Sequence, residues 1–247
     1  MGCEDMTEIF AHRGYAAAYP ENTMISFQEA EKARADGIEL DVQMTNDGEL
    51  VVIHDEKVDR TTNGTGYVRD YSASQLRKLD ARYKFGDLPK SERIPLLEEV
   101  LEWLAETALV CNIELKNGIF PYEGMEEKVA LLIRQRNLEN RIIISSFNHY
   151  SIVRFHQLAP NIETAPLLTD GIYMPWIYAA SIRAKGFHPH HRTLQDDIID
   201  ASKRSGIRLR PYTVNKEAAM ERFIRRGCSA IITDDPAKGV AIRKEIK

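Results

Sequence analysis

From Ile9 onward the chain spells one unit again and again: a short aliphatic run, then a stretch whose apolar residues recur every three or four positions. The first run, Ile9-Phe10-Ala11-His12, reads as a strand that delivers His12 to its C-terminal end. Pro20-Glu21-Asn22-Thr23 opens a helix with Asn22 as its expected N-cap, and Phe27, Ala30 and Ala33 mark the buried side. Gly37 ends that helix and a second strand begins. Further on, Leu97, Val100, Leu101 and Leu104 recur at helical spacing. Strands are then expected over 109–115, 141–145, 163–168, 186–188, 207–212 and 230–233, and helices over 125–135, 149–158, 173–184, 195–205, 217–226 and 236–246. With one hairpin partner set aside, eight strand-then-helix units fill 247 residues. That count predicts an α/β fold, the TIM (β/α)8 barrel, whose chemistry collects at the C-terminal ends of the strands.

Residues 37–55 concentrate that chemistry. Ile38, Leu40 and Val42 alternate with Glu39, Asp41 and Gln43, so a strand here puts aliphatic side chains on one face and both carboxylates on the other. Two carboxylates so placed repel unless water, a proton or a cation lies between them. Thr45-Asn46-Asp47-Gly48 is a tight turn with Gly48 free to take positive φ, and Leu50 to Ile53 return as a second strand ending in His54-Asp55. On the next unit Asn112, Glu114 and Lys116 repeat the period of two, while Cys111, Ile113 and Leu115 face the helices. Glu114 therefore points where Glu39 and Asp41 point. Three carboxylates without a thiol make a hard oxygen site for a divalent cation, Mg²⁺ or Ca²⁺. Lys116 and Arg13 add positive charge suited to phosphate oxygens.

Residues 56–94 break the rhythm. The loop Thr61-Thr62-Asn63-Gly64-Thr65-Gly66 and a Ser72…Gln75 capping box read as a small insertion after the second strand, lying over one end of the sheet. The whole of 1–247 is expected to be one domain.

A net charge of −4, without blocks of like charge, excludes a nucleic-acid footprint and a polybasic membrane patch. No apolar run approaches the roughly 18 residues of a membrane helix. Cys3, Cys111 and Cys228 are an odd, scattered set that fits a reduced compartment, and the acids after Gly2-Cys3 argue against acylation there. A cytoplasmic protein acting as monomer or homodimer on a small molecule is expected, with no nucleic acid and no membrane insertion.

Seen together, Phe10-Ala11-His12-Arg13-Gly14, Pro20-Glu21-Asn22-Thr23, Glu39-Leu40-Asp41-Val42, Asp47-Gly48, His54-Asp55, Arg60-Thr61-Thr62 and Glu114-Leu115-Lys116 resemble the motif series of the glycerophosphodiester phosphodiesterase family. Thr213-Val214-Asn215 and Ile232-Thr233-Asp234-Asp235-Pro236 resemble its C-terminal motifs. Each tripeptide is weak alone, but their order and spacing over the whole chain are specific. The resemblance implies a TIM barrel that hydrolyses glycerophosphodiesters to glycerol 3-phosphate and an alcohol with a divalent cation. It implies Glu39, Asp41 and Glu114 as metal ligands, His12 and His54 as the acid/base pair, and Arg13 and Lys116 as phosphate contacts. His54 is taken as the acid for the leaving group and His12 as the base. Where the family often has Trp before Thr-Val-Asn, this chain has Tyr212 after Arg210-Pro211, which places Tyr212 in the substrate pocket and Arg210 as a further phosphate contact. A lysophospholipid or phosphoinositide phosphodiesterase, and a catalytically silent glycerophosphate-binding barrel, are the alternatives.

Three other features are weighed against blander roles. Glu21 and Asn22 read as loop-shaping residues. His188, His190 and His191 lack a nearby cysteine or acid at ligand spacing and read as loop structure, with His188 nearest the pocket. Phe120, Tyr122, Tyr173, Trp176 and Tyr178 are candidates to line the mouth and meet a choline cation, with helix packing the alternative for Tyr173 and Trp176.

Overall fold

A computed structural model of the protein describes residues 6–82, 85–86 and 91–246. Gly2 and Cys3 lie outside the described residues, as do parts of the 56–94 insertion. The N-terminal half runs β1 (Glu8–His12), α1 (Met24–Lys32), β2 (Gly37–Met44), β3 (Leu50–Val52), α2 (Ala73–Leu76), α3 (Leu97–Ala105) and β4 (Val110–Leu115). Then come α4 (Met125–Gln135), β5 (Ile142–Ser146), α5 (His149–Leu158), β6 (Glu163–Leu168) and α6 (Pro175–Ser181). The chain finishes with β7 (Gly186–Pro189), α7 (Asp196–Arg204), β8 (Arg208–Leu209), α8 (Glu217–Arg225), β9 (Ala230–Thr233) and α9 (Pro236–Ile246). Eight strands lie side by side in the order β8-β7-β6-β5-β4-β2-β1-β9, all neighbours parallel. The ends nearly meet: the Val214 amide donates to the Ile232 carbonyl at 2.8 Å, and the Ile232 amide to the Pro211 carbonyl at 3.0 Å. The result is the expected (β/α)8 barrel.

Alternation along each strand sorts residues by polarity. Ile38, Leu40 and Val42 of β2 and Cys111, Ile113 and Leu115 of β4 point outward into the layer between sheet and helices, where they pack with Phe27, Leu101 and Val129. Inside the barrel, Phe10, Ile143, Ala165, Ala230 and Ile232 form a smaller apolar plug. Beneath it the Arg210 guanidinium, 3 % exposed, donates to Glu163 at 2.7 Å. Gly186 is needed beside that pair, because a Cβ there would fall 2.9 Å from the Glu163 carboxylate and 3.0 Å from the Arg210 guanidinium. This placement corrects the expectation for Arg210: its charge is spent on Glu163 at the barrel floor.

β3 is the hairpin partner of β2, antiparallel with Val42 opposite Val52 and Met44 opposite Leu50. It carries the insertion, whose Val58, Val68, Leu76, Ala81 and Ile94 close over Val51 and Ile53 as a separate small core. The expected capping box forms, with Ser72 accepting from the Gln75 amide and the Gln75 side chain accepting from the Ser72 amide.

Some boundaries differ for local reasons. Thr23, not Asn22, caps α1, while Asn22 takes φ +56° and turns its amide elsewhere. α6 begins only at Pro175, because Met174 before it sits at φ +51°, outside the right-handed helix region. β8 stops at Leu209, with Pro211 two residues on unable to donate to a ladder.

Burial works to raise the Glu163 carboxyl, but Arg210 and Arg208 hold it below the ordinary carboxylate value. A depressed native pKa contributes stability that is present above about pH 4.5 and lost as pH falls through the native value. Glu163→Gln leaves the buried Arg210 charge unpaired and is expected to destabilise the protein by about 3–5 kcal/mol. Thermal unfolding at pH 7 checks it, and the deficit should shrink as the pH is lowered below 4.

Candidate active site

β1, β2, β4 and the turn after β3 deliver the polar groups to the C-terminal mouth of the barrel. Glu39, Asp41 and Glu114 occupy the inner faces of neighbouring strands, with Asp41 registered against Glu114. All three are buried, and each offers a carboxylate oxygen such that the three oxygens lie within 4.8 Å of one another. The physical strain is electrostatic. Burial, then repulsion from Asp41 and Glu114, pushes the Glu39 carboxyl well above its ordinary value. Burial and Asp41 raise Glu114 as well. Asp41 goes the other way: burial opposes its charge, but Arg13, His54 and Lys116 together hold it ionised. Asp41 Oδ1 is buried without a hydrogen-bond partner among the described residues. Three oxygen donors, excess negative charge and an orphaned carboxylate oxygen fit a divalent cation.

The cluster is braced from the loop after β1. Arg13 adopts φ +55° and its amide donates to Glu39 at 2.9 Å. The Asn22 side chain donates to Asp41 at 2.8 Å and accepts from the Asp41 amide at 3.3 Å. Two non-glycine residues in the left-handed region cost on the order of 1–2 kcal/mol each, so this loop is shaped for the carboxylates it holds.

His12 and His54 flank the cluster, each with a carboxylate on Nδ1. Asp234 lies 2.6 Å from His12 Nδ1, and Asp55 lies 2.5 Å from His54 Nδ1. Both carboxyls are held below their ordinary range, Asp55 chiefly by its bond to His54 and Asp234 by His12 and Asn215 against the effect of burial. An ionised carboxylate only accepts, so both Nδ1 atoms carry the hydrogen and both Nε2 atoms are turned away from Asp234 and Asp55. His12 Nε2 is 4.0 Å from Glu39, and Lys116 Nζ donates to His54 Nε2 at 3.2 Å and to Glu114 at 2.8 Å. Arg13 Nη1 donates to Glu21 at 2.7 Å while its Nε lies 3.4 Å from Asp41. Tyr212 stands on the opposite wall, its ring edge-on to Phe147 and its hydroxyl donating to the Leu168 carbonyl at 3.2 Å.

The structure thus brings together His12, His54, Arg13, Lys116, Glu39, Asp41 and Glu114, keeps Tyr212 at their rim, and leaves Arg210 at the floor. His188 is fully buried, with no hydrogen-bond partner among the described residues on either ring nitrogen, and burial and Arg210 disfavour its protonated form. His190 and His191 stack on each other at 4.8 Å, and His191 donates back to the Tyr212 carbonyl. Phe120 is not open to a choline, since the Arg69 guanidinium already covers its face at 3.8 Å. Tyr178 is tied to His149 at 2.6 Å. Sequence reasoning passed over Asp234, although Ala230, Ile232 and Asp234 share the inward phase of β9. It also passed over Asn22 and Glu21 as direct supports of the site.

The chain matches the model of the Glycerophosphoryl diester phosphodiesterase family over residues 12–238. It is 46 % identical over 245 residues to a glycerophosphodiester phosphodiesterase of Bacillus altitudinis, spanning 98 % of this chain and 100 % of that one. Among solved structures it resembles the glycerophosphodiester phosphodiesterase of Agrobacterium tumefaciens (32 % identity, TM-score 0.85, 96 % and 100 % of the two chains). It also resembles a phosphodiesterase of Oleispira antarctica solved with the product sn-glycerol-3-phosphate (26 % identity, TM-score 0.86, 97 % of each chain). Among the described residues no helix is long and apolar enough to cross a membrane.

Mutual repulsion of the carboxylates predicts a metal-linked stability. Mg²⁺ or Ca²⁺ at 100 times its dissociation constant should stabilise the EDTA-stripped protein by about 2.7 kcal/mol. Glu39→Gln should raise the melting temperature in EDTA and remove most of that cation-dependent gain; an unchanged gain in the variant would take Glu39 out of the cation site.

Proposed function

This chain belongs to the glycerophosphoryl diester phosphodiesterase family, and we propose that it hydrolyses glycerophosphodiesters to sn-glycerol 3-phosphate and an alcohol with a divalent cation and two histidines. The observation that carries this reading is the buried carboxylate cluster set between two carboxylate-held imidazoles and two cations. Residues 1–247 act as one catalytic unit, because the insertion joins the same constellation through Arg60, which grips Asp55 beside His54.

A phosphodiester anion resists attack because its charge repels nucleophiles. Glu39, Asp41 and Glu114 would hold a divalent cation, Mg²⁺ or Ca²⁺, and that ion would supply positive charge to a non-bridging oxygen. Arg13 and Lys116 are placed to share the remaining charge as it builds on the phosphoryl oxygens. Each now rests on a carboxylate, Glu21 or Glu114, so substrate exchanges one anionic partner for another. The imidazoles divide the proton transfers. His12, beside Glu39, takes the proton from the attacking oxygen. His54, the more open ring with 29 % of its side chain exposed against 17 % for His12, faces the side where a variable alcohol departs and, as the imidazolium with Nε2 also protonated, gives that proton to the alkoxide. Asp234 and Asp55 hold the rings so that Nε2 does this work.

The test is release of sn-glycerol 3-phosphate from glycerophosphocholine by the purified protein, in EDTA and then with Mg²⁺ or Ca²⁺ restored. Cation-dependent release is expected. No release with either ion from folded protein, alongside turnover of a lysophospholipid, would move the substrate class. His54→Ala should lower kcat on glycerophosphocholine by about 10²–10⁴-fold and should cost much less on a diester with an activated aryl leaving group. Equal losses on both would reassign the acid.

A further inference from the structure

Arg60 lies in the insertion immediately before its turn-rich loop, and among the described residues its bonds go to neither the carboxylate cluster nor the Nε2 atoms. Its guanidinium nevertheless closes a circuit of ion pairs around the site. On one side Nε donates to Asp55 Oδ2 at 2.6 Å and Nη2 to Asp55 Oδ1 at 3.1 Å. On the other side Nη1 donates to Glu21 Oε2 at 2.6 Å and Nη2 to Glu21 Oε1 at 2.7 Å. Arg60 thus grips two carboxylates with two forks, a geometry lysine cannot reproduce. Each carboxylate has a second duty. Asp55 orients His54 through Nδ1, and Glu21 holds the Arg13 guanidinium.

We propose that Arg60 is a positioning residue that locks the acid/base histidine and the phosphate-binding arginine into one rigid frame. The inference rests on the reading of His54 and Arg13 given above. The frame is electrically balanced, with Arg13 and Arg60 against Glu21 and Asp55. Removing Arg60 therefore does two things. Asp55 loses the fork that fixes its plane, so the His54 ring is free to turn. Glu21 loses its second cation and keeps a firmer hold on Arg13, which then gives up less to the substrate. The circuit also joins three separate stretches of chain: the loop after β1, the turn after β3 and the insertion. Asp55 and Arg60 are about half-buried, enough for such bonds to hold geometry and too open for them to serve as a core ion pair.

The experiment is a double-mutant cycle on the cation-loaded enzyme, with glycerophosphocholine as the substrate, because its unactivated alcohol depends on the His54 proton. Arg60→Gln is expected to lower kcat about 10–100-fold, as loss of outer supports of a site typically does, and to raise KM several-fold through Arg13. In a His54→Ala background the same change should lower kcat less than about threefold while the KM effect persists. Glu21→Gln should move KM more than kcat. Arg60→Lys keeps the charge without the fork and should fall between the parent and Arg60→Gln, and it carries the same comparison if Arg60→Gln does not fold. Equal kcat losses in both backgrounds, or full activity of Arg60→Lys, would overturn the positioning role. An inactive parent protein would instead overturn the functional reading beneath it.

Discussion

Three carboxylates crowded into a buried space 4.8 Å across are the condition around which this barrel mouth is built. Left alone, such a cluster would expel its charge by taking up protons, and Glu39 and Glu114 are pushed in that direction. The surrounding structure opposes this. Arg13 and Lys116 lie against Asp41, and amide donors from Arg13 and Asn22 point at the carboxylate oxygens. A divalent cation held by Glu39, Asp41 and Glu114 would complete the same balance. The left-handed backbone of Arg13 and Asn22 is explained by this demand, since a regular loop would not aim those groups inward.

Support then radiates outward in carboxylate–cation pairs. His12 is fixed by Asp234, and Asp234 by Asn215 at 2.5 Å; His54 is fixed by Asp55, and Asp55 by Arg60. The barrel itself is held from below by an apolar plug and the Glu163–Arg210 pair, well apart from the chemistry. Stability and function use different layers of one closed sheet. That separation is why polar residues can dominate the mouth without loosening the floor.

Much of this was legible in the sequence because strand periodicity is strict. A period of two forces Glu39 and Asp41 onto one face, and the same phase in Asn112-Ile113-Glu114 brings Glu114 beside them. The helices 125–135, 149–158 and 236–246 also read out to the residue. What stayed hidden depended on closure in three dimensions. Arg210 looked like a phosphate contact because it neighbours Tyr212, yet it sits two residues lower on the same inner wall, beside Glu163 at the start of β6. Asn22 looked like a helix cap by residue type, and only the approach of Asp41 shows why its backbone turns left-handed while Thr23 takes the cap. Arg60 and Glu21 lie 39 positions apart in loops without period, where no spacing rule operates.

The central claim is that the buried carboxylates form a cation site whose charge repulsion the protein maintains. Isothermal titration of Mg²⁺ or Ca²⁺ into the EDTA-stripped protein, repeated in buffers of different ionisation enthalpy, tests it most directly. The account predicts one cation per chain, release of roughly one proton as the raised carboxyl is forced to ionise, and loss of the binding in Asp41→Asn. Binding that persists unchanged in Asp41→Asn, or no binding to the folded protein, would contradict it.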